Sequence, residues 1–474
     1  MAIGLVLGGG APNLPLMTGA LLALDEAGVD FKVITTTGAG MVVGLLYAAP
    51  RKQNPSDSWV DTRRAALRAT RDWGIDDMIY EMFPVNYKIF QKPGTLAQAY
   101  SHATNPFLWS IPRTSRRQRL LGDTLSLVAA AMSPSNLKPS SQGLCQPPPW
   151  IEMLVNFDEL EKNLAEGDKR FRLSAYCIED SAEKTFRKHE ITAEHFKAAL
   201  AMPFIYAPYK LKGEDGTWKT YLEGSAFDTL AFPPEGVMME KNIDTVIFFD
   251  IMGNRHLIGE PRWLIDAWGK SIVAPLTRLA EQGLENFKMK REQRMKDLEI
   301  KRLDELIELA ATDPKVARMA HELHKKTREF NRLAEILGLA EQDIKAFRAK
   351  CGEYLKERNN KKLEQLKGLA EKDLKLFKKK REEYMRDLDT RERQPLRAAI
   401  GKQQKPHHAS AHSRRTEFLR MRFRDHIPEE HWPKVLDWSH SNMSKLFDIG
   451  VKTGEDFVEK HRERLENSMK AKLN

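Results

Sequence analysis

Two glycine-rich turns near the N-terminus are the part of this chain best suited to chemistry. Gly8-Gly9-Gly10 follow the apolar run Ile3–Leu7, and Gly38-Ala39-Gly40 come shortly after the β-branched residues 33–36. Glycine lets backbone N–H groups point outward, and each turn leads into a helical pattern whose N-terminus adds partial positive charge. The two turns therefore predict a place where an anion, or the oxyanion of a reacting ester, is held.

A carboxylate that could act as a general base stands much later in the chain, at Glu223, followed by Gly224 and Ser225. A carboxylate in a cleft commonly has an altered pKa, and a base must lie within reach of the proton that it accepts. The alternative is structural, with Glu223 satisfied by backbone N–H groups of the glycine-rich turns. The sequence leaves both interpretations open.

In order and spacing these stretches resemble the patatin-like phospholipases, over roughly residues 1–283. That family has a Gly-Gly-Gly oxyanion loop, then a Gly-x-Ser-x-Gly nucleophile elbow, and later an Asp-Gly-Gly or Asp-Gly-Ala motif. The resemblance implies a three-layer α/β domain with a mostly parallel central sheet, and hydrolysis of lipid acyl esters with no cofactor and no metal. It assigns an oxyanion loop to Gly8, Gly9 and Gly10, and an elbow to Thr37, Gly38, Ala39 and Gly40.

Both positions of the family's catalytic dyad are altered. Gly38 stands where the family has serine, and Glu223 stands where it has aspartate. Glycine has no side chain and cannot attack an ester. The leading hypothesis is therefore a protein that binds an acyl lipid or a partner without serine hydrolysis. The alternative is an active acyl hydrolase with an inactivated or misaligned nucleophile, for which Thr37 is a weak candidate.

The elements that must position these residues follow from the apolar pattern. Two consecutive strand–turn–helix units predict a parallel sheet with both turns at one edge. Further strands are predicted at residues 171–177 and 244–250, a helix at 191–202 and a hairpin at 210–222. Residues 51–150 interrupt the pattern and predict a cap-like insertion, either a lid that accepts lipid or an ordinary packed insertion.

Composition bounds the protein as a whole. At 474 residues and 41% hydrophobic content, the chain can form a large domain and smaller ones. The three cysteines show no metal-ligand spacing, there is no signal-peptide pattern, and no apolar run approaches about 18 residues. We therefore expect a cytoplasmic protein that can also associate peripherally with a membrane.

The net charge of +10 is unevenly distributed. Residues 1–283 carry 30 Lys and Arg against 32 Asp and Glu, whereas residues 284–395 carry 30 against 23 and residues 396–474 carry 16 against 11. The C-terminal part is the candidate for an anionic partner. Anionic lipid is favoured over nucleic acid, because few aromatic residues are interleaved with the charges; a solvated helix face is the structural alternative.

Residues 284–395 form a charged helical arm with an internal repeat. Gly338-Leu-Ala-Glu341 recurs as Gly368-Leu-Ala-Glu371, and the aromatic residues Phe347 and Tyr354 recur as Phe377 and Tyr384. The repeat predicts helices that pack on one another, with coiled-coil-like spacing, and association either with a second copy or with an anionic surface. Residues 396–413 read as a linker, and residues 416–470 as an amphipathic helical segment that packs on the α/β domain.

Overall fold

The structure is a computed structural model, and two compact units make up the chain, residues 1–288 with 415–474 and residues 289–414. The residues that it describes are 2–8, 13–147, 151–164, 169–213, 216–226, 243–250, 260, 267, 271, 289, 293, 314–339, 349–351, 353, 354, 361–372, 374–395, 417–434 and 437–469.

The first unit is an α/β domain around an eight-stranded sheet. Its strands and those of a small second sheet are β1 (Ile3–Leu7), β2 (Phe31–Thr36), β3 (Gly143–Cys145), β4 (Arg170–Cys177), β5 (Ala182–Arg187), β6 (Phe204–Tyr206), β7 (Tyr209–Lys212), β8 (Trp218–Glu223), β9 (Thr245–Asp250) and β10 (Glu417–Arg422). The order in the large sheet is β10-β9-β1-β2-β4-β8-β7, with β5 also paired to β4. Every pair from β10 to β4 is parallel, so the expectation of a mostly parallel sheet is confirmed.

Helices cover this sheet and form the insertion. They are α1 (Leu14–Glu26), α2 (Ala39–Ala48), α3 (Trp59–Ala69), α4 (Asp77–Met82), α5 (Thr95–Ser110), α6 (Arg116–Met132), α7 (Ile151–Leu154), α8 (Leu160–Asn163) and α9 (Ala193–Ala199). All residues of α2 are buried, and so are all but the last of α1. Such helices lie against the sheet on one face and are covered on the other, which explains why their sequences show little amphipathic contrast.

The C-terminal segment differs from its prediction. Helix was predicted across residues 416–470, yet β10 is a strand that pairs in parallel with β9. The physical reason is a period of two, because Leu419, Met421 and Phe423 are buried while their neighbours are more exposed. The helical prediction is correct for α13 (His440–Lys460) and α14 (Arg462–Met469), numbered after the three helices of the second unit.

Helix α13 packs closely on α1, as the apolar residues of this segment predicted. A Cβ at Gly450 would lie 2.3 Å from the Leu16 carbonyl oxygen, and one at Gly19 would lie 2.3 Å from the Phe447 carbonyl oxygen. Only glycine allows the two backbones to approach this closely. The C-terminus is thus an integral layer of the α/β unit.

The insertion is also held by the C-terminal segment. Ile75 donates its N–H to the Trp438 carbonyl at 2.9 Å, and His440 donates its N–H to the Ile75 carbonyl at 2.7 Å. The Phe90 and Trp438 rings pack edge to face. Within the insertion, β3 pairs with β6 and so connects the insertion to the α/β layer.

The second unit has a core of its own. Its described helices are α10 (Pro314–Leu339), α11 (Lys361–Lys372) and α12 (Leu374–Leu388). Tyr354, Phe377 and Tyr384 of the repeat are buried in this core, whereas Phe347 lies outside the described residues. The aromatic face that motivated an association surface is therefore used inside the unit, and association through the arm stays a prediction. No helix within the described ranges is both long and apolar enough to span a bilayer.

Candidate active site

Strand β4 brings the two distant halves of the candidate site together. One edge of β4 pairs with β2 up to Thr36, which lies opposite Leu173. The same edge then pairs with β8, whose last residue Glu223 lies opposite Ala175, while β5 occupies the other edge. Because the partners of β4 change over two residues, the end of β2 meets the end of β8. The turn after β2 and the residues after Glu223 are thereby placed next to each other.

The turn after β2 has the shape of an elbow. Gly38 has φ 52° and ψ −132° and directly precedes α2, which begins at Ala39. This φ lies in the left-handed region, where residues other than glycine are strained. A sharp strand-to-helix turn with a strained apex is the geometry that exposes a nucleophile in elbow enzymes. In this chain the apex carries only hydrogen at Cα.

Contacts with the first strand fix the elbow. Thr37 donates its N–H to the Leu7 carbonyl at 3.1 Å, and Gly40 donates its N–H to the Gly8 carbonyl at 3.0 Å. A Cβ at Gly40 would lie 2.4 Å from the Leu7 carbonyl oxygen and 2.5 Å from that of Gly8. These are backbone atoms, so no side-chain movement could make room. Gly40 is required for the elbow to lie against the first glycine turn.

The carboxyl of Glu223 is buried beside this elbow. Glu223 is only 6% exposed. Burial raises the pKa of its carboxyl from 4.5 to about 7, and a hydrogen bond from Ser225 acts in the opposite direction by lowering that pKa. Ser225 donates its hydroxyl to Oε1 at 2.5 Å, and Glu223 donates its own N–H to the Ala201 carbonyl at 3.0 Å. Near neutral pH the group therefore exchanges a proton readily, which is the property of a general acid or base.

Gly224 links the carboxyl motif to the elbow. A Cβ at Gly224 would lie 2.9 Å from Thr37 Oγ1 and 3.0 Å from the Ser174 carbonyl oxygen. Thr37 is fully buried and its hydroxyl has no hydrogen-bond partner within the described part of the chain. The threonine oxygen is close to the motif but is not paired with the Glu223 carboxyl, so the geometry does not form a Thr37–Glu223 dyad.

The predicted site residues are placed as follows. The structure brings Thr37, Gly38, Ala39 and Gly40 together at the elbow, with Glu223 adjoining it. Gly8 is buried and accepts a hydrogen bond from Gly40, whereas Gly9 and Gly10 lie outside the described residues. The oxyanion role of the first turn accordingly stays a prediction.

Sequence reasoning missed several neighbours of the site. Ser225 is the direct partner of Glu223, and Ser174 is a buried hydroxyl without a partner in the described ranges. Apart from these residues, Asn13 directly precedes α1, and both polar atoms of its buried side chain lack partners among the described residues. Asparagine is a common N-cap residue, but Asn13 makes no side-chain capping hydrogen bond to α1. Ser174 carried no sequence signal, because it lies within an ordinary alternating strand.

The insertion also contributes to the surroundings of Glu223. Cys145 on β3 lies opposite Tyr206 on β6. Burial raises the pKa of the Tyr206 hydroxyl, and ionisation of Cys145 or Glu223 would raise it further. Burial likewise raises the pKa of the Cys145 thiol to about 11, so the thiol stays protonated and is a poor nucleophile. Within the described residues, no group of three His, Cys, Asp or Glu could hold a metal ion.

Burial of Glu223 predicts a pH-dependent stability. Between about pH 4.5 and about pH 7 the unfolded chain loses the proton that the folded chain keeps, so stability falls as pH rises. A shift of this size corresponds to about 3 kcal/mol. Glu223→Gln keeps an acceptor for Ser225 without an ionisable group. We expect this variant to exceed the wild type in stability at about pH 8, with the gain shrinking toward about pH 5.

Urea unfolding at both pH values measures this difference. Glu81→Gln, at an exposed position of α4, is the matched control and should show no such trend. A Glu223→Gln effect that is the same at both pH values would show that the carboxyl does not titrate in this range.

Comparison with known proteins gives one family match. Residues 5–235 match the family model described as patatin-like phospholipase. Among solved structures, the chain is similar to the crystal structure of VipD from Legionella pneumophila, with 12% identity over 95% of this chain and 91% of that one and a TM-score of 0.26. No curated protein matches the chain.

Proposed function

We propose that this chain, whose residues 5–235 belong to the patatin-like phospholipase family, holds a lipid acyl ester at an elbow that lacks a nucleophile. It binds the acyl group without forming an acyl-enzyme. The observation that carries the proposal is Gly38 at φ 52° and ψ −132°, at the apex between β2 and α2. The family match supports a lipid substrate class, and the absent side chain argues against covalent catalysis at this position.

The chemistry of the elbow favours binding of a polar ester group. The N-terminus of α2 carries partial positive charge, which suits a carbonyl oxygen, although the Gly40 N–H is already donated to the Gly8 carbonyl. The Glu223 carboxyl, with a pKa of about 7, can donate a hydrogen bond when protonated and accept one when ionised. Both features can position an ester, and neither attacks it.

Equilibrium binding tests this proposal. We expect the wild type to bind a fluorescent phospholipid below its micelle-forming concentration, while chromatography of the extracted lipid shows no released fatty acid. Gly224→Val is the site-blocking variant, because a side chain there meets Thr37 and the Ser174 backbone. Its binding should fall at least about tenfold if it remains folded. Undiminished binding by a folded Gly224→Val, or fatty-acid release by the wild type, would overturn the proposal.

An active hydrolase is the second candidate, and one contact favours it. The Ser225 hydroxyl donates to the Glu223 carboxyl, which is the pairing of a nucleophile with its base. In that reading Ser225 replaces the missing elbow serine. Ser225 and Glu223 are only two positions apart in the sequence, and side chains this close often form local hydrogen bonds. The contact therefore also has a purely structural explanation. Hydrolysis that disappears in Ser225→Ala would establish the second candidate.

A further inference from the structure

The outer face of α6 is unusually apolar for an exposed helix. Its most buried residues are Gly122, Asp123 and Ser126, which are small or polar. Four large apolar side chains are exposed by 38% to 71%; these are Leu121, Leu125, Val128 and Met132. Steps of four, three and four residues place them on one face of the helix. A surface helix normally carries polar residues on this face.

The apolar surface extends onto α4, which packs beside α6. Met78 and Met82 are 48% and 60% exposed, and Phe83 directly after the helix is 52% exposed. Exposed apolar residues are ordinary when scattered, but several large ones on two helices that pack together are typical of an interaction site. We call the exposed apolar residues of α4 and α6, together with Phe83, the cap face.

The sequence around the cap face carries net positive charge. Residues 77–147 contain three acidic residues, Asp77, Glu81 and Asp123, against seven basic ones: Lys88, Lys92, Arg113, Arg116, Arg117, Arg119 and Lys138. Asp123 is buried, and its carboxylate accepts from Lys88 at 2.6 Å and from the Asp76 N–H at 2.7 Å. Arg116 and Arg117 are exposed at the start of α6. Asp77 and Glu81 on α4 are exposed as well, so this part of the surface has an excess of positive charge, with Arg116 and Arg117 at the start of α6.

We propose that the cap face docks the chain onto an anionic phospholipid bilayer. Aliphatic side chains along one helix face, with arginines at its end, are the composition of an interfacial helix: the apolar groups enter the acyl boundary and the cations meet the head groups. This inference rests on the proposed function, because it assigns the surface from which an acyl ester would be reached. The helical arm, for which the sequence predicted membrane contact, has the described aromatic residues of its repeat, Tyr354, Phe377 and Tyr384, buried in its own core.

Vesicle co-sedimentation of the full chain tests the proposal. We expect binding to phosphatidylcholine vesicles that contain about one third phosphatidylserine, and at least about tenfold weaker binding to pure phosphatidylcholine. Arg116→Gln with Arg117→Gln should weaken binding to the anionic vesicles by about tenfold or more, since each basic residue contributes about fivefold. Leu121→Gln with Val128→Gln should weaken it similarly by removing buried apolar area.

Ile178→Gln is the matched control, because Ile178 is 42% exposed in the same unit but outside the insertion. It should bind vesicles as the wild type does, and all variants should keep the wild-type unfolding midpoint. No binding by the wild type, or equal binding by the cap-face variants and the control, would overturn the proposal. A cap-face variant that no longer binds vesicles but still binds monomeric fluorescent phospholipid would show that the cap face and the acyl site are separate. The two proposals can therefore fail independently.

Discussion

Replacing Gly38 by Ser should create ester hydrolysis at least about a hundredfold above the wild type. The backbone at residue 38 already has the φ and ψ of an elbow apex, and the end of β8 places a carboxyl with a pKa of about 7 beside it. A serine there has the two partners that its chemistry requires, a base and a helix N-terminus. Hydrolysis of a short-chain p-nitrophenyl ester measures the gain, which should rise through about pH 7 as Glu223 ionises.

Gly38→Ala is the matched control for this variant. It imposes the same positive-φ strain, of about 1 to 2 kcal/mol, but brings no oxygen. It should therefore lose the same stability as Gly38→Ser and remain inactive. A folded but inactive Gly38→Ser would show that more of the site than its nucleophile is missing.

Gly40→Ala should be the most destabilising single-methyl change in the elbow. Its Cβ would fall 2.4 Å from the Leu7 carbonyl oxygen and 2.5 Å from that of Gly8, and both belong to the backbone of the first strand and turn. Strand β1 lies in the middle of the sheet and cannot shift without disturbing β2 and β9. We expect a loss of at least about 3 kcal/mol in the free energy of unfolding, or failure to fold.

Gly28→Ala separates crowding from backbone strain. Gly28 has φ 78°, and a Cβ there would meet nothing within 4 Å. Its cost should be about 1 kcal/mol, from conformation alone. Urea unfolding of both variants measures the comparison. Equal losses in the free energy of unfolding for Gly28→Ala and Gly40→Ala would show that the backbone around Gly40 has room for a methyl group.

The sequence was most informative where local pattern and burial agree. The two βα units around Gly8 and Gly38 have strands that are buried at every position except Lys32, and glycines where chain segments approach. Glu223 was found because it precedes a glycine in the position of a known motif. Its burial and raised pKa could not be predicted, since they depend on which strands share an edge of β4.

The C-terminal strand shows why the remainder was missed. Residues 417–422 follow a linker and precede long helices, and the run is too short to distinguish a strand from the start of a helix. The run forms a strand because it pairs with β9, which lies more than 160 positions earlier in the sequence. The arm shows the converse: Phe377 and Tyr384 were correctly recognised as apolar helix positions, but which surface they contact was not encoded locally.

Treatment of the wild type with a fluorophosphonate tests the central claim most directly. The reagent forms a stable bond with an activated serine or threonine hydroxyl, and intact-protein mass spectrometry detects the adduct. An elbow with Gly38 at its apex predicts no adduct on the wild type and one adduct on Gly38→Ser, located at residue 38 by peptide mapping. An adduct on the wild type, at Ser225, Thr37 or any other hydroxyl, would contradict the claim that the site binds acyl esters without a nucleophile.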